Sequence, residues 1–528
     1  MIKERSGLLL AWMVLLVLLI SSLEIGSAKP SQSPVLEKRI LPKGMEKEIN
    51  PGGRKSNVVE PRMTVSPYEW HTFYGSDGNV FGEGIVVGED GSIYVLGSSY
   101  ENWRGDGGKK PLHPFSGVMD LVIVKLDANG VYQWHTFYGS SNLDWGSDIT
   151  IAKDGSIYVT GDSTASWLGD KGAAPLHPHS GSDDLVVLKL DSQGAYQWHT
   201  FYGSGNYDAG IGIGVAPNGN IYTLADSSGG WLGDGNTEPL HGPSGNHDLA
   251  VLKLNSNGAY QWHTFYGSQY DDCNGDICTG GIAIDGNENI YLSGPSRGNW
   301  LGDSGEVPIH PFSGYVDIMM MKLNSSGAYQ WHTFQGGYSE YDRGKDIAVA
   351  MDGSIYVTGL SAGPWLGDGT IPPLRSCGVD CTLVVLKLDN SGAYLWHTFY
   401  GPGFGNGVVV AKDGGVYIIG DSVGFLGDDV AAPLHPHSGE RDLVILRLGA
   451  SGAYRWHTFY GSSGWDIGES ITEAKDGSVY ATGYSDGSWL GDDGTEPLHP
   501  FSGYSDMIVL SLNAAQAGQV MYLPLMSR

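Results

Sequence analysis

From Tyr68 onward the apolar residues arrive in short runs of β-branched and aromatic side chains bounded by Gly, Asn or Asp, and the body shows no 3.6-residue period. Such runs are strand chemistry. Three blocks alternate along the chain. Asp90-Gly91-Ser92-Ile93-Tyr94-Val95 returns as Asp352-Gly353-Ser354-Ile355-Tyr356-Val357. Asp184-Leu185-Val186-Val187-Leu188-Lys189-Leu190-Asp191 leads through a short Gly turn into Trp-His-Thr-Phe, which occurs seven times. Its tryptophans are Trp70, Trp134, Trp198, Trp262, Trp331, Trp396 and Trp456, spaced by 64, 64, 64, 69, 65 and 60 residues.

Each repeat predicts four antiparallel strands. In one copy strand A is Asp346 to Ala350, a tight Asp-Gly hairpin leads to strand B (Ile355 to Gly359), strand C is Leu383 to Leu388, and an Asp-x-x-Gly turn leads to strand D (Tyr394 to Tyr400). Seven such units predict an all-β fold, a seven-bladed β-propeller. The first Trp-His strand precedes its A, B and C strands, whereas the last unit stops after strand C near Leu512. That orphan D strand is expected to complete the last blade and close the ring, since an open solenoid would leave it unpaired.

The repeat resembles the seven-bladed propeller repeat proteins labelled SBBP, found in secreted and cell-surface bacterial and archaeal chains. The likeness spans residues 67–513. It rests on Asp-Ile-x-x-x-x-Asp-Gly-Ser-Ile-Tyr-Val-Thr-Gly, clearest at Asp148 to Gly161 and Asp346 to Gly359, and on Tyr-x-Trp-His-Thr-Phe-Tyr-Gly. The resemblance implies an architecture and an extracytoplasmic setting, but no defined reaction. The spacing of Asp191, Gly194 and Trp198 is also similar to the tryptophan-docking motif of quinone-dependent dehydrogenase propellers. Those enzymes have eight blades, so the match speaks for strand packing rather than for a cofactor.

The ends read differently from the body. Lys3 and Arg5 precede an apolar run from Leu8 to Ile20, and Gly26-Ser27-Ala28 supplies small residues for cleavage, so residues 1–28 are expected to be a secretory signal peptide. The run is too short for a membrane span, although an uncleaved anchor is the alternative. No span is expected in the mature chain. Residues 29–66 have the composition of a flexible linker or pro-segment, and residues 514–528 form an apolar C-terminal tail. Export favours disulfides, so Cys273 is expected to pair with Cys278 and Cys377 with Cys381 as local loop staples.

The meander sends the A–B and C–D turns to one end of the strands and the D–A and B–C connections to the other. The B–C connection runs to about twenty residues, so one face of the disc is expected to be elaborated. This loop repeats an aromatic ring, a carboxylate and an imidazole: Trp103, Asp106 and His113; Trp167, Asp170 and His177; Trp231, Asp234 and His241; Trp300, Asp303 and His310; Trp489, Asp492 and His499. The fifth copy keeps Trp365 and Asp368 but has Arg375, and the sixth has Phe425, Asp428 and His435. Such a trio suits a sugar or cation site. The plainer reading has Trp capping the core, Asp bonding loop amides and His-Pro stiffening the return.

Other motifs weaken once the copies are aligned. A serine ends strand B in every unit, at Ser99, Ser163, Ser227, Ser296, Ser361, Ser422 and Ser485, and a nucleophile is not needed seven times. Seven Trp-His imidazoles suit packing between blades rather than metal binding. Arg104-Gly105-Asp106 stands where other copies have Leu-Gly-Asp, so its integrin-type reading is accidental. His177-Pro178-His179 and His435-Pro436-His437 could clip a metal, and the acidic loops around Asp144 and Asp272 could hold calcium, but neither loop has EF-hand spacing.

Charge narrows the partners. The chain has 30 basic and 58 acidic residues; the first 66 residues hold 10 and 6 of these, leaving the body 20 against 52, a formal charge of −32. Such a surface repels nucleic acid and anionic membranes. The expectation is a secreted or surface-associated, monomeric, non-catalytic propeller that needs no cofactor, with calcium as a candidate ion. It would present repeated loops to glycan or protein, gaining strength by multivalency. The rivals are an enzyme using the central channel, either a quinone-type oxidoreductase or a polysaccharide-acting one, and a structural envelope protein. A specialised site would show as asymmetry at the channel mouth, first in the fourth and fifth copies.

Overall fold

A strand that reads Asp-Leu-Val-Val-Leu-Lys-Leu has almost no polar face to give to water and needs cover on both sides. In the computed structural model it has that cover, because six of the seven residues of Asp184–Leu190 are buried. The structure describes residues 62–64, 66–273, 279–338, 341–376, 382–424, 432–515, 517 and 520–522. The chain divides into Met1–Val59 and Glu60–Arg528, and all described residues belong to the second unit. The expected signal peptide, nearly all of the linker and most of the tail lie outside them.

After β1 (Arg62–Thr64) and β2 (Tyr68–Tyr74) comes the first blade, β3 (Val80–Val87), β4 (Ile93–Ser99), β5 (Asp120–Leu126) and β6 (Tyr132–Tyr138), four neighbouring antiparallel strands. Twenty strands between Asp144 and Tyr460 repeat this order five times. The last blade joins β27 (Asp466–Glu473), β28 (Ser478–Ser485) and β29 (Asp506–Asn513) to β2, so the N-terminal strand completes it as predicted. β1 then pairs with β30 (Val520–Tyr522), tying the two flanks of the ring together.

Successive A strands touch all the way round, which places them innermost and the D strands at the outer edge. Seven apolar clusters lie between blades rather than within them. One joins Leu96, Leu121 and Ile123 of the first blade to Ile149, Val159 and Leu188 of the second. The closing junction is built alike, with Val509 and Met507 against Val95 and Val122.

The turns follow the predicted chemistry. Asp191 Oδ1 accepts the amides of Gln193 and Ala195 at 2.9 Å each, and Gly194 sits at φ +81°, in left-handed territory that glycine enters freely. A Cβ on Gly194 would lie 3.0 Å from the Trp134 ring, so the tryptophan of one blade docks on the glycine turn of the next. The Asp-x-x-Gly-x-x-x-Trp spacing is thus a packing device between blades.

Strand A departs from the expectation. In the fifth blade it begins at Asp342 rather than Asp346 and runs to Val349. A β-bulge between Gly344 and Asp346 places two residues opposite one and breaks the alternation by which strands are read. Five other A strands carry the same bulge.

Candidate functional site

The B–C connection leaves the expected end of the blade and then folds back along the outermost strand. In the first blade His135 Nε2 meets the Trp103 carbonyl at 3.2 Å, Gly105 lies against the Tyr132 ring, and Leu112 N donates to His135 O at 2.9 Å. Phe137 N then donates to His113 O at 3.2 Å. The elaborated loop is therefore a rim rather than a raised face. The physical cause is the exposed edge of strand D, whose unpaired amides and carbonyls need cover.

That route fixes what each repeated residue can do. Trp103, Trp167, Trp231, Trp300, Trp365 and Trp489 are 5–9% exposed. Each stacks on the buried histidine of its Trp-His strand; Trp167 and His199 lie 3.7 Å apart at 5°. Tyr196 donates its hydroxyl to His199 Nδ1 (2.8 Å), and Nε2–H donates to the Trp167 carbonyl (3.3 Å). A carbonyl can only accept, so the ring is the neutral Nε2–H tautomer. Burial holds the His199 pKa down near 4, as it does for His71, His135, His263, His332, His397 and His457. The tryptophan faces are thus occupied from within, and what the rim offers outward lies beside them.

The loop aspartate reaches the preceding blade. Asp170, Asp234 and Asp303 accept the hydroxyls of Tyr138, Tyr202 and Tyr266 at 3.3, 3.0 and 2.8 Å. Asp170, Asp492 and Asp106 also face the Nε2 of His113, His435 and His499 at 3.8–3.9 Å. In His113, His177, His241, His310 and His435 the other nitrogen, Nδ1, donates to a strand-D phenylalanine carbonyl at 2.8–2.9 Å. Asp368 is exposed, and the strand-D tyrosine of the preceding blade is replaced there by Gln335. Arg375 lies over the Tyr400 ring at 5.0 Å, in the place of the stacked histidine. Phe425 and Asp428 lie outside the described residues.

Outward from this latch five copies present a pair of apolar side chains, and the first presents Leu112 alone. Leu168, Leu232, Leu301, Leu366 and Leu490 follow the tryptophan, and Leu112, Leu176, Leu240, Ile309, Leu374 and Leu498 precede the histidine or arginine; all are 44–59% exposed.

The strand-B serines are buried donors. Ser163, Ser227, Ser361 and Ser485 hydrogen-bond to Asp144, Asp208, Asp342 and Asp466, and Ser296 to Asp272 at 2.9 Å. His179 and His437 turn Nε2 to the carbonyls of Ser163 and Ser422, away from His177 and His435. Asp144 and Asp272 accept the amides of Ser140 and Ser268. Among the described residues no group of three or more His, Cys, Asp or Glu is arranged to hold a metal. Arg104 donates to the Gly108 carbonyl at 3.2 Å within the rim turn. Cys273 is buried and disulfide-bonded. Cys278, Cys377 and Cys381 lie outside the described residues.

The residues that face the channel differ from copy to copy. The bulge places Glu83, Ser147, Ile211, Lys345, Asn406 and Glu469 at equivalent inner positions, so a repeat that is uniform at the rim varies from blade to blade at its centre. Lys345 pairs with Glu469 at 3.9 Å, and Arg441 pairs with Asp421. Burial, and then the charge of Glu469, raise the Glu83 pKa well above the carboxylate range. Burial also pushes Asp346 up to about 6, Asp148 to about 7 and Asp162 to about 8. Asp148 Oδ2 and Asp346 Oδ2 each accept an amide of the next A strand, from Ile213 and Val408 at 2.8 Å, which locks neighbouring blades.

At the mouth, the residue after the start of strand A is Phe81, Trp145, Ala209, Arg343, Phe404 or Ile467, and the residue after the strand-B serine is Tyr100, Thr164, Ser228, Arg297, Ala362, Val423 or Asp486. Between the fourth and fifth blades lies an open depression of about 540 Å³ lined by Ser313, Gly314, Tyr315, Tyr338 and Tyr341. Tyr315 meets Tyr341 edge-on at 4.9 Å, and the Arg343 guanidinium lies 5.6 Å from the Tyr341 ring. Of the features by which the fourth and fifth copies are expected to deviate, Cys278, Cys377 and Cys381 lie outside the described residues, and the depression is formed by other residues of the same two blades.

No family model matches the chain. Over 322 residues it is 25% identical to the regulatory protein FlaEY of Caulobacter vibrioides, which covers 58% of this chain and 32% of that one. Over 353 residues it is 23% identical to an uncharacterized WD repeat-containing protein, L264, of Acanthamoeba polyphaga mimivirus, covering 54% and 24%. The chain thus spans about a third or less of these curated relatives. Among solved structures it is similar to an ulvan lyase (11% identity, 78% of this chain and 93% of that one, TM-score 0.39). It is also similar to the Trypanosoma rangeli sialidase in complex with sialic acid (9%, 87% and 59%, 0.36) and to regucalcin of Agrobacterium tumefaciens (11%, 69% and 90%, 0.30). At these scores the likenesses carry no functional argument, and the fold stands on its own sheet topology.

Proposed function

We propose that the chain is a secreted or cell-surface, non-catalytic propeller of the SBBP-repeat type that binds glycan or protein through many equivalent rim positions. One observation carries the reading: an exposed apolar pair recurs in copy after copy beside a partly exposed aspartate and histidine, on loops fixed to the outer strand. Serine and Trp-His imidazole, the residues that could suggest catalysis, are spent on internal hydrogen bonds and stacking. Equivalent weak sites on a rigid ring gain avidity together. The ring works as a monomer, its loops stapled by Cys273–Cys278 and Cys377–Cys381, and calcium is the ion to test.

The experiment is a glycan and protein binding screen of the full chain, with calcium and with chelator, repeated on a Leu168→Ser, Leu232→Ser, Leu301→Ser variant. These side chains are half exposed, so the variant should melt as the parent does while losing about tenfold or more in apparent affinity. A screen in which no ligand both binds at several units per ring and is weakened by this variant would overturn the multivalent reading.

A second reading, an enzyme acting on polysaccharide in the channel, is favoured by the convergence of Glu83, Lys345, Asp421, Arg441 and Glu469. Release of reducing ends that disappears in Glu469→Gln would support it over the first.

A further inference from the structure

We propose that the depression between the fourth and fifth blades is a single binding site for an acidic sugar unit of a polysaccharide, held by its carboxylate or sulfate group on Arg297 and Arg343 and by its ring on the tyrosines. It is not one of the repeated rim positions and does not depend on the multivalent reading.

Three observations converge. The first is aromatic exposure: Tyr315, Tyr338 and Tyr341 are 54%, 90% and 40% exposed, in a molecule whose largest fully buried side chains are tyrosines. Exposed phenol rings grouped around a concavity offer flat apolar faces with polar tips, which suits the apolar face of a pyranose. The second is charge. In a body of formal charge −32, the Arg343 guanidinium lies 5.6 Å from the Tyr341 ring, and Arg297 directly follows the last residue of the fourth blade's strand B, at the same end of the blades. Guanidinium groups bind carboxylate and sulfate with paired N–H donors.

The third is anchoring. Arg297 donates its backbone amide to the buried Asp272 at 2.6 Å, and Arg343 follows the buried Asp342 at the start of its strand. Tyr341 is held beside the fourth blade by a parallel bridge to Val316. The platform is preorganised by the scaffold, which lowers the ordering cost of binding. No other copy has arginine at either position, so this pair distinguishes the junction of the fourth and fifth blades from the rest. An acidic peptide would meet the same arginines, but three exposed rings around a shallow hollow favour the sugar.

The test titrates the purified full chain with labelled oligogalacturonate and with dextran sulfate, against neutral dextran and poly-glutamate, at low and at physiological salt. The expected result is saturable binding of at least one acidic glycan, about tenfold or more tighter than neutral dextran and poly-glutamate, and weakened by salt. Comparing oligogalacturonate with dextran sulfate tells carboxylate from sulfate. Tyr338→Ser and Arg343→Gln should each weaken binding about tenfold, and the rim triple-leucine variant should leave it unchanged. Because Tyr338 is 90% exposed, its replacement reports on binding without a folding cost. Equal binding of neutral dextran or poly-glutamate, unchanged affinity in Tyr338→Ser, or no binding of either acidic polymer would overturn the proposal.

Discussion

Replacing Trp167 with alanine separates the two roles that a repeated tryptophan could play. The indole is 6% exposed, stacks on His199 at 3.7 Å and meets the Phe201 ring edge-on at 5.8 Å. Removing a buried tryptophan costs about 3–5 kcal/mol, part for lost transfer and part for the cavity left behind. The melting shift depends on how much of the ring melts together. With an unfolding entropy of about 2.1 cal/mol/K per residue, a ring of about 450 residues melting as one unit falls by about 4 °C for 4 kcal/mol, whereas a pair of blades melting alone falls by about 15 °C. Scanning calorimetry with hydrogen exchange at Thr200 and Phe201 tells the two apart. If instead the indole were a surface plate for sugar, melting would move by less than about 1 °C and only binding would change. That outcome would refute the packing described for all six rim tryptophans.

Three further expectations follow from the same geometry. Asp162 has its pKa raised to about 8, chiefly by burial. A carboxyl raised above its unfolded value contributes stability fully present below about pH 4 and lost as pH rises toward 8, so Asp162→Asn should match the parent at pH 4.5 and exceed it at pH 9 in melting temperature; a parent equally stable at both would count against the burial argument. Gly194→Ala should cost about 2–5 kcal/mol in denaturant titration, since φ is +81° and its Cβ would lie 2.7 Å from Leu112 Cδ1, and a loss below about 1 kcal/mol would mean that the Trp134 docking is loose. Deleting Tyr68–Tyr74 removes the outer strand of the last blade and bares the buried edge of Asp506–Asn513, so the product should aggregate in gel filtration; a folded monomer would show that the ring does not need this closure.

The architecture could be read from the chain because blade formation is local. Asp-Gly and Asp-x-x-Gly turns set hairpins, and runs such as Leu185 to Leu190 can only be buried between layers. The interlock of the first Trp-His strand with the last blade followed from counting strands. Two features escaped, each because a tertiary demand overrode a local rule. Alternation failed in strand A, where bulges at Lys345 and Glu469 turn those side chains inward and shift the apparent start by four residues. The long loop looked like a raised face because it leaves the end of the blade opposite the tight A–B and C–D turns. It lies along the rim because strand D has a free edge and Trp103 finds a better partner in His135 than in water.

The same distinction bears on where to look for function in a repeat protein. Repetition made the Trp, Asp and His of the rim the conspicuous residues, yet what recurs in every blade has to serve what every blade shares, namely edge cover and contact with the next blade. The tyrosine-to-aspartate bonds from Tyr138 to Asp170, Tyr202 to Asp234 and Tyr266 to Asp303 are contacts of that kind. A single ligand breaks sevenfold symmetry and has to be met by positions free to differ. Those positions begin where each blade enters the channel mouth, at the residues equivalent to Arg297 and Arg343, and the signal was present in the sequence as disagreement between copies rather than agreement. Rim and mouth variants read in one binding assay therefore test two separable claims, because the rim residues act through number and the mouth residues through chemistry.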